Sequence, residues 1–296
     1  MNILLIQSIP VVIFLGSLGL PVGIVLWIRY QRKHRRNPLN YQMLRAPGES
    51  ISQRIEQLND DVGLYFTFSG IVPLFCYSMY LTTHFIAHSP TSPVVFLILA
   101  LGFMAFFGIK LNKVFRQRHK EQLGLDCERA VGQELNQLML DGYRVYHDYQ
   151  ADNFNIDHVV IGENGVFAIE TKGRPKPDRG RGQEDSKVIY DGQTLQFPTW
   201  REKEPLDQAK RQAVWLSGWL SKAVGEHMPV KPVLALPGWY VDRKAKDLLI
   251  YNGRNPQYLL KITTETPLSP EMIQRVAHQV EQQCRDVDAQ AYKKEK

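Results

Sequence analysis

Only three cysteines occur in 296 residues, and Cys76, Cys127 and Cys284 stand far apart, with no C-x-x-C pair and no Cys/His cluster. This excludes a disulfide framework, leaves zinc without cysteine support and fits a reducing compartment. No Walker-type phosphate loop is present; Gly180-Arg181-Gly182 is too short to serve as one, so ATP hydrolysis is not suggested. The most informative absence is charge. Residues 3–28, 62–87 and 91–109 contain no Asp, Glu, Lys or Arg.

A helix that crosses a bilayer needs about 20 predominantly apolar residues, with roughly 17–25 tolerated. All three uncharged stretches meet that length, and Pro10, Pro21 and Pro73 are tolerable inside membrane helices. A cleaved signal peptide does not fit 3–28, which lacks a basic leader and is too long for the apolar part of one. Basic residues then fix the orientation. Arg29, Arg32, Lys33, Arg35 and Arg36 follow the first stretch; Lys110, Lys113, Arg116, Arg118 and Lys120 follow the third. The 88–90 connection, His-Ser-Pro, has none. The positive-inside rule therefore expects three spans, the N-terminus outside and everything beyond residue 110 in the cytoplasm.

The chemistry concentrates in 155–173, NIDHVVIGENGVFAIETKG. Two runs rich in Val, Ile and Phe flank Glu163-Asn164-Gly165, the pattern of a β-hairpin. Alternation places Glu170 and Lys172 on one face of their strand, and turns His158 away from the face of Asp157. If Asn164-Gly165 forms the turn, Asp157 pairs with Lys172 and lies diagonal to Glu170. If Glu163-Asn164 forms it, Asp157 faces Glu170. Either register gathers two carboxylates and one amine within about 5–8 Å. Facing carboxylates repel, so one holds a proton unless a cation lies between them. A hard divalent cation resolves the conflict and leaves positions for water and a phosphate oxygen. An ordinary surface hairpin with one Glu–Lys pair is the bland alternative.

Asp157 followed by Glu170-Thr171-Lys172 resembles the core motif of the PD-(D/E)xK nuclease superfamily, and the string IDHVVIGENGVFAIETKG is similar to its nuclease-related domain family. The preceding Gly124-Leu125-Asp126-Cys127-Glu128-Arg129-Ala130-Val131, with Leu135, matches that family's helix pattern except that Cys127 replaces a glycine. Pro205-Leu206-Asp207-Gln208 matches a segment opening a later helix. The resemblance covers roughly 120–240. It implies Mg²⁺ or another divalent cation on Asp157, Glu170 and the Thr171 carbonyl, with Lys172, Glu128 and Gln208 completing a catalytic set.

Independently of that likeness, Val131, Leu135 and Leu138 make an apolar helical stripe with Glu128 one turn earlier, an unusual place for a carboxylate. Leu206, Ala209, Ala213, Leu216 and Leu220 form one face of a second helix; Gln208, Gln212, Trp215 and Trp219 lie roughly opposite. The expected elements are helix 122–140, strands 143–149, 155–161 and 166–172, helix 205–223, strands 231–236 and 247–251, and helix 270–290. These elements make an α/β fold, a mixed sheet with flanking helices preceded by an α-helical membrane domain, and the resemblance implies a restriction-endonuclease-like core. The domains are 1–110, a basic linker 111–121, and 122–296. Between strand and helix, 174–182 (RPKPDRGRG) carries Arg174, Lys176, Arg179 and Arg181 on a loop suited to grip a phosphate backbone, and 187–197 predicts a hairpin around Asp191-Gly192. The expectation is a multi-pass inner-membrane protein whose cytoplasmic domain hydrolyses nucleic acid, DNA foremost. The rivals are a non-catalytic nucleic-acid anchor and a structural subunit of a membrane complex or homo-oligomer.

Overall fold

A computed structural model describes residues 16–17, 19–28, 30–31, 37–85, 92–262 and 267–289. It divides into two compact units, one comprising 1–43, 60–115 and 288–296, the other 44–59 and 116–287.

The helices are α1 (Gly19–Ile28), α2 (Glu49–Phe85), α3 (Pro93–Asn136), α4 (Glu204–Val224) and α5 (Pro270–Cys284). Both α2 and α3 are long and apolar enough to span a membrane, and their most apolar windows are only 6% and 0% buried. A core helix of a soluble domain would hide that surface; here Phe66, Phe75, Ile98 and Ile109 are exposed. Within the first unit the two helices meet through stacked Phe68 and Phe107, 5.7 Å between centroids, and through Tyr80 and Phe96 at 5.9 Å. Of the expected first span, 3–15 lies outside the described residues, as do the 88–90 connection and Arg29, Arg32, Lys33, Arg35 and Arg36.

The stretch 111–121, expected as a basic linker, is helical, and α3 runs through it without a break. The stretch contains no proline and no glycine, so no residue there interrupts helical hydrogen bonding. A 3₁₀ turn, Gln137–Asp141, then ends at Gly142 with φ 83°. Residues 44–59, expected with the membrane domain, group instead with the globular unit.

That unit is built on β1 (Arg144–Gln150), β2 (Asn155–Gly162), β3 (Gly165–Thr171), β4 (Lys187–Tyr190), β5 (Leu195–Gln196), β6 (Arg201–Glu202), β7 (Val230–Ala235), β8 (Tyr240–Arg243) and β9 (Leu249–Tyr251). A five-stranded sheet has the order β9-β7-β3-β2-β1. β9, β7 and β3 are parallel; β2 runs antiparallel to both β3 and β1. A smaller sheet, β6-β5-β4-β8, contains the hairpin expected at 187–197. Strand β8 escapes prediction because its four residues, Tyr-Val-Asp-Arg, carry no clear alternation. The last helix stops at Cys284 rather than 290.

The sheet is buried on both faces. Val159, Ile161, Val166 and Ala168 pack on Ala213, Leu216 and Leu220 of α4 and on Val276 and Val280 of α5. Val160, Phe167, Ile169 and Val233 meet Val131 and Leu135 of α3 and Leu138 of the 3₁₀ turn that follows it. The mixed sheet with flanking helices is therefore the architecture the sequence leads one to expect. Each fully buried aliphatic side chain contributes about 1.5–3 kcal/mol, so α3 and α4 fix the ends of β2 and β3 firmly.

Candidate active site

Strand register decides which groups meet. Gly162 pairs with Gly165, leaving Glu163-Asn164 as the turn, and His158 pairs with Ile169. Extending that ladder by one pair sets Asp157 opposite Glu170, the second of the two registers the sequence allows. A Cβ at 162 would collide with the Tyr143 ring, so a glycine at this position lets that ring pack against the end of β2. His158 turns to the other face as expected, its Nδ1 lying 2.9 Å from Nδ1 of His147.

Four ionisable groups converge. Asp157 is buried, and its Oδ2 accepts the backbone amide of Thr171 at 2.7 Å. Glu170 Oε1 meets Lys172 Nζ at 2.6 Å, and Glu170 Oε2 accepts from Gln212 Nε2 at 2.6 Å. Gln212 also donates to the Asn155 carbonyl at 3.0 Å, so one amide ties α4 to both β2 and β3. Glu128 arrives from α3 and is buried, with no partner for Oε2. Thr171 Oγ1 and Gln212 Oε1 are likewise buried without a partner.

The electrostatics follow from burial. It pushes Glu128 up to about 8, with Asp148 and Glu170 adding repulsion. Burial also raises Asp157 well above the ordinary carboxylate range, helped by Glu170 and Glu128 and opposed by the Thr171 amide and by Lys172. Glu170 is raised by burial, though Lys172 and Gln212 offset part of that. For Lys172 burial favours the neutral amine, yet the contact with Glu170 outweighs it and the net shift is upward. The result is a protonated amine beside carboxylates that resist joint ionisation, the signature of a site short of positive charge.

Among the described residues no group of three or more His, Cys, Asp or Glu side chains is arranged to hold a metal ion. Mg²⁺ does not need such a cage, since it is commonly bound by one or two carboxylates and keeps several waters. Asp157 and Glu170 supply two hard oxygen donors on neighbouring strands, and the orphaned Glu128 oxygen lies in the same electrostatic neighbourhood. That donor set fits a divalent cation.

Of the helix residues, Gln208 is half-buried one turn before Gln212, and it is Gln212 that bonds Glu170. The only signal for Gln212 in the sequence is its place on the second occupied side of α4. The loop 174–182 lacks helix and strand up to Arg181, but two of its arginines are committed. Arg174 forks onto Glu202, with Nε 3.0 Å from Oε1 and Nη2 3.0 Å from Oε2, while Arg179 Nε meets Asp185 Oδ1 at 2.7 Å. Lys176 lies 6.0 Å from the Trp239 ring centroid; Arg181 is exposed, its backbone amide donating to Asp185 at 3.1 Å.

A feature with no counterpart in the sequence reading is a buried node at Asp148, whose φ is 49°. Its carboxylate accepts from Arg45 Nε at 2.9 Å, from the Ser50 amide and hydroxyl at 2.7 Å each, and from Asn155 Nδ2 at 2.7 Å. Arg45 Nη1 also grips both oxygens of Asp286 at 2.8 Å. The chain at 45–50 thereby lies against the site: a Cβ on Gly48 would fall 3.5 Å from Glu128 Oε2. No signal in the sequence joins residues so far apart.

No curated protein and no solved structure matches the chain. Residues 123–237, which hold all of this constellation except the 45–50 segment and Asp286, match the family described as the nuclease-related domain, NERD. The chain therefore carries a nuclease-related domain, with two helices long and apolar enough to span a membrane ahead of it.

Proposed function

We propose that this chain is a membrane-anchored, metal-dependent phosphodiester hydrolase acting on nucleic acid, with DNA the expected substrate. The observation that carries the reading is the meeting of Asp157, Glu170 and Lys172 at one sheet end, Lys172 Nζ 2.6 Å from Glu170. Hydrolysis of a phosphodiester requires a water aligned with the phosphorus and compensation of the charge that builds on its oxygens. Asp157 and Glu170 would hold Mg²⁺, joined by the Thr171 carbonyl; the ion would make its bound water more acidic and neutralise phosphate charge. The contact with Glu170 favours the protonated amine of Lys172, and as a donor it would orient the water or a phosphate oxygen. Gln212 fixes Glu170 from the far side. Glu128, protonated near neutrality, supports the water or the ion once a cation draws its proton away.

The membrane assignment draws on two facts. The apolar surfaces of α2 and α3 are exposed. Residues 44–59 and 116–287 form one hydrogen-bonded unit, which requires the two chain stretches to lie on one side of a bilayer, so α2 and α3 would run as a hairpin. The basic run from Lys110 to Lys120 favours the cytoplasmic side of an inner membrane. A non-catalytic nucleic-acid anchor is the less favoured reading, because a pure binder gains nothing from buried carboxylates that repel phosphate, and Arg174 and Arg179 are already paired.

Full-length chain in detergent, incubated with plasmid DNA and with RNA, tests the proposal. Cleavage with Mg²⁺ that EDTA abolishes is expected; no cleavage of either polymer under any divalent cation would overturn it.

A further inference from the structure

At the edge strand β9 of the main sheet, a cavity of about 200 Å³ is bordered by Tyr240, Arg243, Tyr251, Asn252, Asn255 and Tyr258. Among the described residues no carboxylate lines it. Tyr240 is 68% exposed and Tyr258 48%, a large aromatic area for a domain that otherwise buries its rings. The Arg243 guanidinium carbon sits 5.4 Å from the Tyr258 ring centroid, and Lys261 Nζ 5.9 Å from it. Two rings, a planar cation held in place and two side-chain amides are the elements that receive a nucleobase: stacking surfaces, positive charge for its phosphate, and groups that can pair with a base edge.

Its position is fixed by the sheet. Ala235 of β7 pairs with Thr171 of β3 on one side and with Tyr251 of β9 on the other. The backbone of Tyr251, which borders the cavity, therefore lies two strand spacings, roughly 10 Å, from the strand end that carries Lys172. An extended single strand rises more than the roughly 3.4 Å per nucleotide of a duplex, so a strand reacting at Lys172 reaches this cavity within a few nucleotides.

We infer that the cavity formed by Tyr240, Arg243 and Tyr258 is a nucleobase subsite, and that the domain takes an unpaired stretch of nucleic acid near the scissile bond. This rests on the proposed hydrolase reading and narrows its substrate class. A base inside a closed duplex cannot present its face to a ring without leaving the stack, so a continuous duplex gains nothing from this pocket.

The test is fluorescence anisotropy of a labelled oligo(dT) and of a blunt duplex, with full-length chain in detergent and EDTA present to prevent cleavage. Wild type should bind the single strand more tightly than the duplex. Tyr240→Ala and Tyr258→Ala should each weaken single-strand binding about tenfold, within the range for loss of one stacked base. Both should leave duplex binding unchanged, and Tyr258→Phe should restore affinity. Equal single-strand affinity in both alanine variants, or a matching loss on duplex, would overturn the inference. Mg²⁺-dependent cleavage by wild type separates the two readings. If cleavage stands and the alanine variants bind like wild type, only the subsite falls; if wild type neither binds nor cleaves, both fall.

Discussion

Glu170 is held from two sides: Lys172 Nζ lies 2.6 Å from Oε1, and Gln212 Nε2 lies 2.6 Å from Oε2. Removing the amide would leave a buried carboxylate oxygen unpaired and free to turn. Gln212→Ala should therefore lower metal-dependent turnover about 10–100-fold, the usual cost of losing a group that orients a ligand. Gln208→Ala, one turn earlier and half-buried, should cost less. Single-turnover rates of the two variants, side by side, check the order; equal losses would remove Gln212 from its positioning role.

Arg45 and Asp148 make a prediction about stability. The pair is buried, and Arg45 also serves Asp286 and Ser50. Breaking a buried pair leaves an uncompensated charge and costs about 3–5 kcal/mol. The exposed Arg211–Glu204 pair should contribute about 0–1 kcal/mol. Denaturant melts of Arg45→Ala and Arg211→Ala test the contrast, which disappears if the two variants unfold alike. The same node implies that a fragment starting after residue 110 loses stability, because it lacks 44–59.

Glu128 links the site to pH. Burial and neighbouring carboxylates raise it to about 8, against about 4.3 in an unfolded chain. A carboxyl raised in the folded state binds more protons there than in the unfolded chain. Its contribution is therefore fully present below about pH 4.3 and is lost as pH rises through about 8. In EDTA, Glu128→Gln should melt higher than wild type at pH 9, by at least about 2 °C for a domain of this size, with the gap closing toward pH 5. Parallel melting curves across that range would show that Glu128 is not the strained group.

The sequence made the sheet, the helix faces and the Asp157–Glu170–Lys172 face legible because each depends on local periodicity. The sequence leaves the register open between two choices, and the Gly162–Gly165 pairing of the fold selects one of them. What stayed hidden depends on distant partners. Gln212 and Gln208 sit on the same side of one helix, and only the angle at which α4 crosses the sheet distinguishes them. The basic loop looked free because its partners, Glu202 and Asp185, follow it in the chain and act only through tertiary folding. The 45–50 segment lies 98 residues or more from the carboxylate it binds, and a run of charges before an apolar stretch gives no hint of docking. The continuity of α3 is hidden for the opposite reason: a basic cluster resembles a boundary, yet no helix breaker stands there.

Lys172 is where the account is most exposed. Lys172→Ala removes the cation paired with Glu170, and loss of such a donor typically costs about 10²–10³ in rate. With full-length chain, Mg²⁺ and a labelled DNA substrate, single-turnover cleavage should fall at least about a hundredfold while binding in EDTA stays within about twofold of wild type. Cleavage at the wild-type rate by the Lys172→Ala chain would contradict the assignment.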